Sequence, residues 1–355
     1  MLSAIYPFLP ETLLSAVEKA VQQTTTEPVI KACLLSGGLS EASVFRIDTE
    51  TNSYLLKILP EEGTDLKGVL ARHKLASAAG VAPELYYAND VHGILITAFI
   101  NSQPISSAFS PEQAIIALAK QIKTLHNIEY PAIGEQTDLK EVFDKAVNSL
   151  ADKGFLADNA PKTFLNTYAA IKDAYPWNHT YKVLSHNDLN PRNILCDGSK
   201  LWLVDWDVSS INDRYVDLAM AAHFFVYTPD MENLLLNTYF AREPSLYQLA
   251  RFRIIKPLCR LVYAEIFLQM VLKQQSTNAT YNTDPNETSL AAVGQLLRTG
   301  NLSLDTSTGQ WLYGKALLNA ALQAIEEEAF KEYISTLQSA ASAATSVPAH
   351  GPQDR

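Results

Sequence analysis

Ser185 to Asp207, SHNDLNPRNILCDGSKLWLVDWD, is the stretch whose reading decides the fold. It presents His186, Asp188, Asn193 and Asp205 in that order. Asn193 follows Asp188 by five positions, and Asp205 follows Asn193 by 12, at the end of an apolar run. Between them, Ile194-Leu195-Cys196 and Leu201-Trp202-Leu203-Val204 read as strands, with Asp197-Gly198 as the tight-turn dipeptide. Such a hairpin carries a loop at one end and Asp205 at the other, so two carboxylates can meet over one ligand. The plain alternative is a hairpin with scattered surface acids.

The Asp-to-Asn interval equals that of the kinase catalytic loop, H-R-D-L-x-x-x-N. Asp205 stands where a kinase places its second metal-binding Asp. Phosphoryl transfer needs in-line positioning and neutralised charge more than covalent help. A carboxylate beside the attacking hydroxyl orients it and can accept its proton, which is the role for Asp188. Mg²⁺ prefers oxygen ligands, and Asn193 and Asp205 supply them. His186 is grouped with Asp188 in the catalytic loop, and is expected to buttress it by hydrogen bonds rather than to do chemistry.

The stretch resembles the aminoglycoside phosphotransferase and choline kinase superfamily of small-molecule kinases. The resemblance rests on His186-x-Asp188-(four residues)-Asn193, Val204-Asp205-Trp206-Asp207, Asn212-Asp213 and Asp217-Leu218-Ala219. In motif it is most similar to bacterial choline and thiamine kinases. The resemblance implies Asp188 as catalytic base, with Asn193 and Asp205 holding metal. Asp207, where many relatives carry Glu, is a further metal or substrate contact. Asp217 is implied as a structural support of the catalytic loop. ATP and Mg²⁺ are the implied cofactors.

The same resemblance organises the chain from about residue 29 to 270. It implies an α+β, bilobal protein-kinase-like fold. A small antiparallel-sheet lobe covers residues 1–99, a mainly helical lobe residues 100–339, and a disordered tail residues 340–355. In the small lobe, strands near Val29–Leu35 and Val44–Ile47 flank Gly37, Gly38 and Ser40, the implied phosphate loop; relatives often carry Asn where Glu41 stands. A glycine turn alone is equally an ordinary hairpin. Lys57 lies inside the apolar strand Tyr54–Leu59 and is implied to reach the α/β-phosphates; surface alternation is the bland account. A helix is expected from Asp65 to Ala79, capped by Thr64 and Gly80.

In kinases that helix carries a Glu that pairs with the Lys. Here Leu66 to Pro83 contains no acid. Glu61, Glu62 or Asp65 could substitute, Lys57 could be held otherwise, or the arrangement could be inactive. Further on, Glu84–Ala88 and Gly93–Phe99 read as strands. Thr97 to Ile100, with Thr97 and Phe99 as nucleotide-binding candidates, is the implied hinge for adenine.

In the large lobe, Ser110-Pro111 starts a helix running to His126. Residues 139–173 are helical by period, with a break at Pro161. Helices are also expected over Leu218–Tyr227, Met231–Phe240, Arg251–Leu272 (started or kinked by Pro257), Leu290–Arg298 and Gly314–Gln338. Tyr263, Glu265 and Phe267 could enclose a cationic head group, as in cation-binding relatives, or simply form a core helix with one solvated edge.

Composition limits the alternatives. The chain has 355 residues, 47% apolar and 19% charged, ordinary for a globular enzyme. A net charge of −10 argues against nucleic acid or an anionic membrane as partner and suits a cationic substrate. Cys33, Cys196 and Cys259 form no CxxC pair and read as reduced thiols. No signal-peptide pattern and no membrane-spanning run is visible, so a cytoplasmic setting is expected.

The expected partner is a small-molecule hydroxyl, such as that of choline or a related amino-alcohol. An aminoglycoside is the alternative acceptor. A nucleotide-binding pseudokinase is the alternative from another class, supported by the acid-free helix and Glu41. A protein kinase is disfavoured. Asn190 stands where protein kinases carry Lys, Asp205-Trp206-Asp207 replaces D-F-G, and Asp217 follows Asp207 by only ten positions.

Overall fold

The computed structural model describes residues 2–35, 42–60, 65–130, 136–156, 161–178, 182–274 and 289–345. Two 3₁₀ turns (Leu2–Phe8, Glu11–Leu13) lead into α1 (Leu14–Thr24), β1 (Lys31–Leu34), β2 (Ser43–Asp48), β3 (Ser53–Ile58), α2 (Leu66–Ala78), β4 (Leu85–Asn89) and β5 (Ile94–Ala98). There follow α3 (Pro111–His126), α4 (Leu139–Asp152), α5 (Pro161–Ala174), β6 (Lys182–Ser185), β7 (Ile194–Cys196), β8 (Leu201–Leu203) and β9 (Ser210–Asp213). The described chain closes with α6 (Arg214–Phe225), α7 (Pro229–Phe240), α8 (Leu246–Gln274), α9 (Leu290–Arg298), α10 (Ser307–Glu326) and α11 (Glu328–Thr345).

Two compact units divide these elements. The first holds residues 1–136, 183–217 and 224–241. Its frame is a five-stranded antiparallel sheet in the order β1-β2-β3-β5-β4. Side chains alternate across a strand, so β3 sends Tyr54, Leu56 and Ile58 to one face and Lys57 to the other. The first face packs on Val17, Ala20 and Val21, spaced along one stripe of α1, with Phe45, Ile47, Ile94 and Ile96. On the other, Leu95 packs with Leu59, Val69 and Leu70, the last two from α2. Lys57 lies opposite Leu95 in register, and so faces α2.

Helix α2 begins at Asp65, whose side chain accepts from the Gly68 N–H. The cap expected at Thr64 falls outside the described residues. Gly80 closes the helix at φ +69°. Helix α3 opens on a full capping box between Ser110 and Gln113, with Pro111 at the first position. The β7–β8 hairpin forms as expected, with Ile194 opposite Leu203 and Cys196 opposite Leu201. Its turn centres on Gly198 (φ +98°) and Ser199 rather than on Asp197-Gly198. Asp197 instead caps that turn, accepting from the Ser199 and Lys200 N–H groups and from Trp202 Nε1. Burial pushes its carboxyl up, but those hydrogen bonds win and hold it at about 2.

The second unit holds residues 137–182, 218–223 and 242–355. Helix α8 is its axis, with α10, α11 and α4 packed around it. It starts at Leu246, five residues before the expected Arg251, and runs through Pro257. At Gly314 an added Cβ would lie 2.9 Å from Leu268 Cγ, so the glycine lets α10 approach α8. The C-terminal helix expected over 314–338 is two helices, α10 and α11, interrupted at Glu327. Helix α11 continues to Thr345, into the stretch expected to be disordered; residues 346–355 lie outside the described residues.

Candidate active site

The catalytic-loop candidates and both later carboxylates fall in the first unit. Strand β6 ends at Ser185 and delivers a fully buried His186. Its Nε2 lies 3.0 Å from the Val204 carbonyl. A carbonyl only accepts, so Nε2 carries the proton and Nδ1 faces the Asp188 N–H as acceptor at 3.4 Å. The ring packs at a tilt against Trp206, 4.7 Å between centroids. His186 therefore sits as the expected buttress; both nitrogens are turned to the backbone.

Asn187 next adopts φ +66°, a left-handed conformation that costs a non-glycine residue energy. Its side chain is bonded at both ends. Nδ2 donates to Val208 O and Ser210 Oγ, both at 2.8 Å, and Oδ1 accepts from Asn212 Nδ2 at 2.9 Å. Asp217 holds the backbone beneath. Its Oδ1 accepts from Asn187 N (2.7 Å), and its Oδ2 from His186 N (2.8 Å) and His126 Nε2 (3.0 Å). His126 Nδ1 in turn meets the Tyr239 hydroxyl at 2.8 Å. Burial pushes the Asp217 carboxyl up, but the contact with His126 and the other donors outweigh it and hold the group below its ordinary range.

The turn at Asn187 presents Asp188. Its Oδ2 accepts from Asn190 Nδ2 (2.9 Å) and Asn193 Nδ2 (2.8 Å). Asn193 Nδ2 also donates to Asp188 O at 3.0 Å. The amide nitrogen of Asn193 is thus committed to Asp188, which leaves its oxygen as the end suited to a cation. Asn190 caps the turn Pro191–Asn193, its Oδ1 accepting from Arg192 N at 2.8 Å. Its place on the Asp188 carboxylate was not read from the sequence. In the sequence Asn190 stood out only for replacing the Lys of protein kinases.

At the far end of the hairpin, Asp205 also adopts a left-handed φ, +68°. Lys57 Nζ lies 2.5 Å from Asp205 Oδ1 and 2.7 Å from Asp207 Oδ1. The Lys57 partner that the sequence left open is therefore this pair. Asp65 does not substitute; it caps α2 and faces Arg72 Nη1 at 3.4 Å. Glu61 and Glu62 lie outside the described residues. Burial and the adjacent Asp205 carboxylate raise the Asp207 carboxyl against the pull of Lys57. Two carboxylates share one ammonium, so the cluster holds excess negative charge.

That donor set fits a magnesium ion. Asn193, Asp205 and Asp207 offer hard oxygen atoms, and Mg²⁺ is commonly held by one or two carboxylates with phosphates and water completing the shell. Among the described residues no group of three or more His, Cys, Asp or Glu could hold a metal.

The nucleotide candidates are only partly described. Gly37, Gly38, Ser40 and Glu41 lie outside the described residues. Thr97 is buried in β5, with β3 on one side and β4 on the other. The Ala98 N–H donates to Glu84 O and the Phe99 N–H to Ser53 O, so these two donors serve the sheet. The Phe99 ring lies under the Arg46 guanidinium at 4.3 Å. In the second unit, Glu265 accepts from Ser149 Oγ at 2.8 Å and Phe267 packs edge-on against Tyr313, which is the core-helix account of those two residues.

The profile of the Phosphotransferase enzyme family matches residues 31–251. The chain belongs to that family, and the residues matched run from β1 into α8. A Metamycoplasma hominis protein of uncharacterised function is 31% identical over 150 residues, covering 40% of this chain and 27% of that protein. The chain spans about a quarter or less of the length of the curated relatives it matches (20–27%).

A choline/ethanolamine kinase family protein from Mesorhizobium loti superposes with a TM-score of 0.58 at 18% identity, covering 92% of this chain and all of that one. A spectinomycin phosphotransferase solved with ADP and spectinomycin gives 0.55 at 14% identity, over 85% and 98% of the two chains. These likenesses show the α+β, kinase-like fold expected from the sequence. No helix among the described residues is long and apolar enough to cross a membrane.

Proposed function

We propose that the protein is an ATP- and Mg²⁺-dependent kinase that phosphorylates a hydroxyl of a small molecule, an amino-alcohol such as choline. One observation carries the reading. Asp188 is bonded by two neutral amides, while Asp205 and Asp207 converge on Lys57 at 2.5 and 2.7 Å. The arrangement separates a carboxylate suited to a proton from carboxylates suited to a metal.

In this reading Asp188 orients the acceptor hydroxyl and takes its proton. Asn190 and Asn193 hold that carboxylate in place. His186 and Asp217 position the loop. Asn193, Asp205 and Asp207 would hold Mg²⁺, which supplies charge neutralisation for the transferring phosphoryl group. Lys57 is a point charge, bound to the metal-site carboxylates here and available to phosphate oxygens. Gly37, Gly38, Ser40, Thr97 and Phe99 remain the nucleotide-contact candidates, with the small lobe ending near Phe99. A cytoplasmic setting suits the three free cysteines.

An amino-alcohol is favoured by the Mesorhizobium loti likeness and by the net charge of −10, which suits a cation. The likeness to a spectinomycin phosphotransferase favours an aminocyclitol or aminoglycoside antibiotic as the second reading. The acid-free helix no longer argues for a pseudokinase, because Lys57 has two carboxylate partners without it.

The test is Mg²⁺·ATP consumption by purified protein against choline, ethanolamine, thiamine, spectinomycin and several aminoglycosides, with Asp188→Ala as the blank. Turnover of an amino-alcohol that is absent from the blank is expected. Turnover of antibiotics alone selects the second reading. Absence of Mg²⁺-dependent nucleotide binding rejects both.

A further inference from the structure

Helix α2 lacks the acid that in kinases ties it to the lysine, yet it is joined to the metal-side loop by other means. Arg72, buried at 4% exposure, sends Nε to Ser209 Oγ at 3.1 Å. Ser209 Oγ donates to the Trp206 carbonyl at 2.6 Å, and Ser209 N donates to the same oxygen at 3.0 Å. Trp206 lies between Asp205 and Asp207, so this carbonyl is the backbone joint between the two carboxylates. One residue further along α2, the buried His73 ring stands 6.1 Å from the Trp206 ring. The C-terminal end of α2 is tied as well: Leu203 N donates to Val81 O at 3.0 Å, and Lys200 Nζ to Gly80 O.

The sequence makes room for the arginine. Asp65 caps α2 through Gly68 and faces Arg72 with its other oxygen at 3.4 Å. A Cβ at Gly68 would lie 1.8 Å from Asp65 Oδ2 and 2.6 Å from Arg72 Nη1. The glycine thus leaves the space that this carboxylate and guanidinium occupy.

We infer that Arg72 is a positioning residue for the metal site: through Ser209 it fixes the Trp206 carbonyl and so sets the spacing of Asp205 and Asp207. A helix acid on Lys57 is replaced by a helix cation on the turn from Trp206 to Ser209, which contains Asp207. The inference rests on the Mg²⁺-nucleotide reading above. Groups that orient metal-binding side chains typically alter metal affinity 10–100-fold when removed.

The experiment measures nucleotide binding by calorimetry across a Mg²⁺ titration, which needs no acceptor substrate. Wild type, Arg72→Met, Ser209→Ala, Ser209→Thr and the Arg72→Met/Ser209→Ala double variant are compared, each first checked for a folded, cooperative melt. Arg72→Met and Ser209→Ala should each raise the Mg²⁺ concentration for half-maximal binding by roughly ten-fold or more. Metal-free nucleotide affinity should stay put.

The double variant should be little worse than the singles, since both break one chain of contacts. Ser209→Thr keeps the hydroxyl and should restore wild-type Mg²⁺ dependence. Hydrogen exchange at the Ser209 amide should quicken in Arg72→Met. Unchanged Mg²⁺ dependence in folded Arg72→Met, beside a clearly Mg²⁺-dependent wild type, overturns the inference alone. A wild type that binds no nucleotide with Mg²⁺ overturns the kinase reading and the inference together. If Arg72→Met does not fold, Ser209→Ala decides by the same criterion.

Discussion

The loop that carries Asp188 and the loop that carries Asp205 meet the same difficulty in different ways. Each places a non-glycine residue in the left-handed region, Asn187 at φ +66° and Asp205 at +68°. Such conformations persist only where the surroundings over-determine them, and they cluster at functional sites. At Asn187 the surroundings are protein throughout: three side-chain hydrogen bonds and the buried Asp217 beneath. At Asp205 the side chain meets Lys57, which it shares with Asp207. The first loop is complete in its own hydrogen bonds. The second carries excess negative charge, and its geometry is the one that a divalent cation would change.

The largest expected effect separates the two loops by what they lose. Asp188→Ala should cut turnover by roughly 10²–10⁴ if the carboxylate is the general base, with nucleotide affinity kept. Asp205→Ala should instead weaken nucleotide binding only when Mg²⁺ is present. Steady-state kinetics beside calorimetry with and without Mg²⁺ reads both. Equal loss of nucleotide binding in the two variants would break the division between a proton site and a metal site.

Stability should divide the same way. Removing one member of a buried charged network typically costs about 3–5 kcal/mol, the expectation for Asp217→Ala in denaturant unfolding near neutral pH. The pH behaviour of Asp217 and Asp207 has opposite signs. Asp217 is held below its ordinary range, so its contribution is present above the unfolded carboxylate range and fades as pH falls through the folded value. Asp207 is raised, so the fold favours its protonated form; that contribution is full at low pH and is lost as pH rises through the folded value. Asp207→Asn should therefore leave neutral-pH stability unchanged or improved, while weakening Mg²⁺ binding. A large loss of stability in Asp207→Asn would mean that the Lys57 cluster is a structural staple like Asp217.

A third effect comes from α2, which packs on the metal-side loop. Burial, aided by Lys57 and His186, lowers His73 to about 4. Below pH 6.5 an unfolded chain takes up the proton that the folded chain refuses. Stability should fall as pH drops from about 6.5 to 4, by roughly 3 kcal/mol from this group, and be untouched above that window. His73→Gln should flatten that part of the acid limb in urea unfolding curves collected across pH. An unchanged limb would mean that His73 is not held neutral by Lys57 and burial.

These contrasts also explain what was legible in the sequence. Asp207 and Asp217 came only from the family resemblance. Asp188, Asn193 and Asp205 could be placed together because a short hairpin fixes their separation along the chain, and hairpin geometry is local. Lys57 was readable as a strand residue for the same reason. Its partners were not, because an ion pair between residues 57 and 205 depends on how the sheet sits on the loop. The absence of an acid in α2 was visible; that Arg72 and His73 reach the metal-side loop was not, since an arginine on a helix reads equally as a solvated face. Asn190 was hidden by its position before Pro191, where a turn cap accounts for it fully. The capped start of α3 was legible to the residue, whereas α10 and α11 merged because their apolar periods run on through Glu327.

The smallest effect isolates the conformational cost itself. Asn187→Ala removes three side-chain hydrogen bonds and leaves a β-carbon at φ +66°. Asn187→Gly removes the same bonds but has no β-carbon to strain. The two variants differ mainly in the left-handed penalty, so Asn187→Gly should be more stable than Asn187→Ala by about 1–2 kcal/mol in denaturant unfolding. Both should be less stable than wild type, because glycine cannot restore the ties to Val208, Ser210 and Asn212. A left-handed penalty at Asn187 that vanishes would mean that the base loop is as adjustable as the metal loop. In that case Asp217, rather than the asparagine network, would be what holds Asp188 in place.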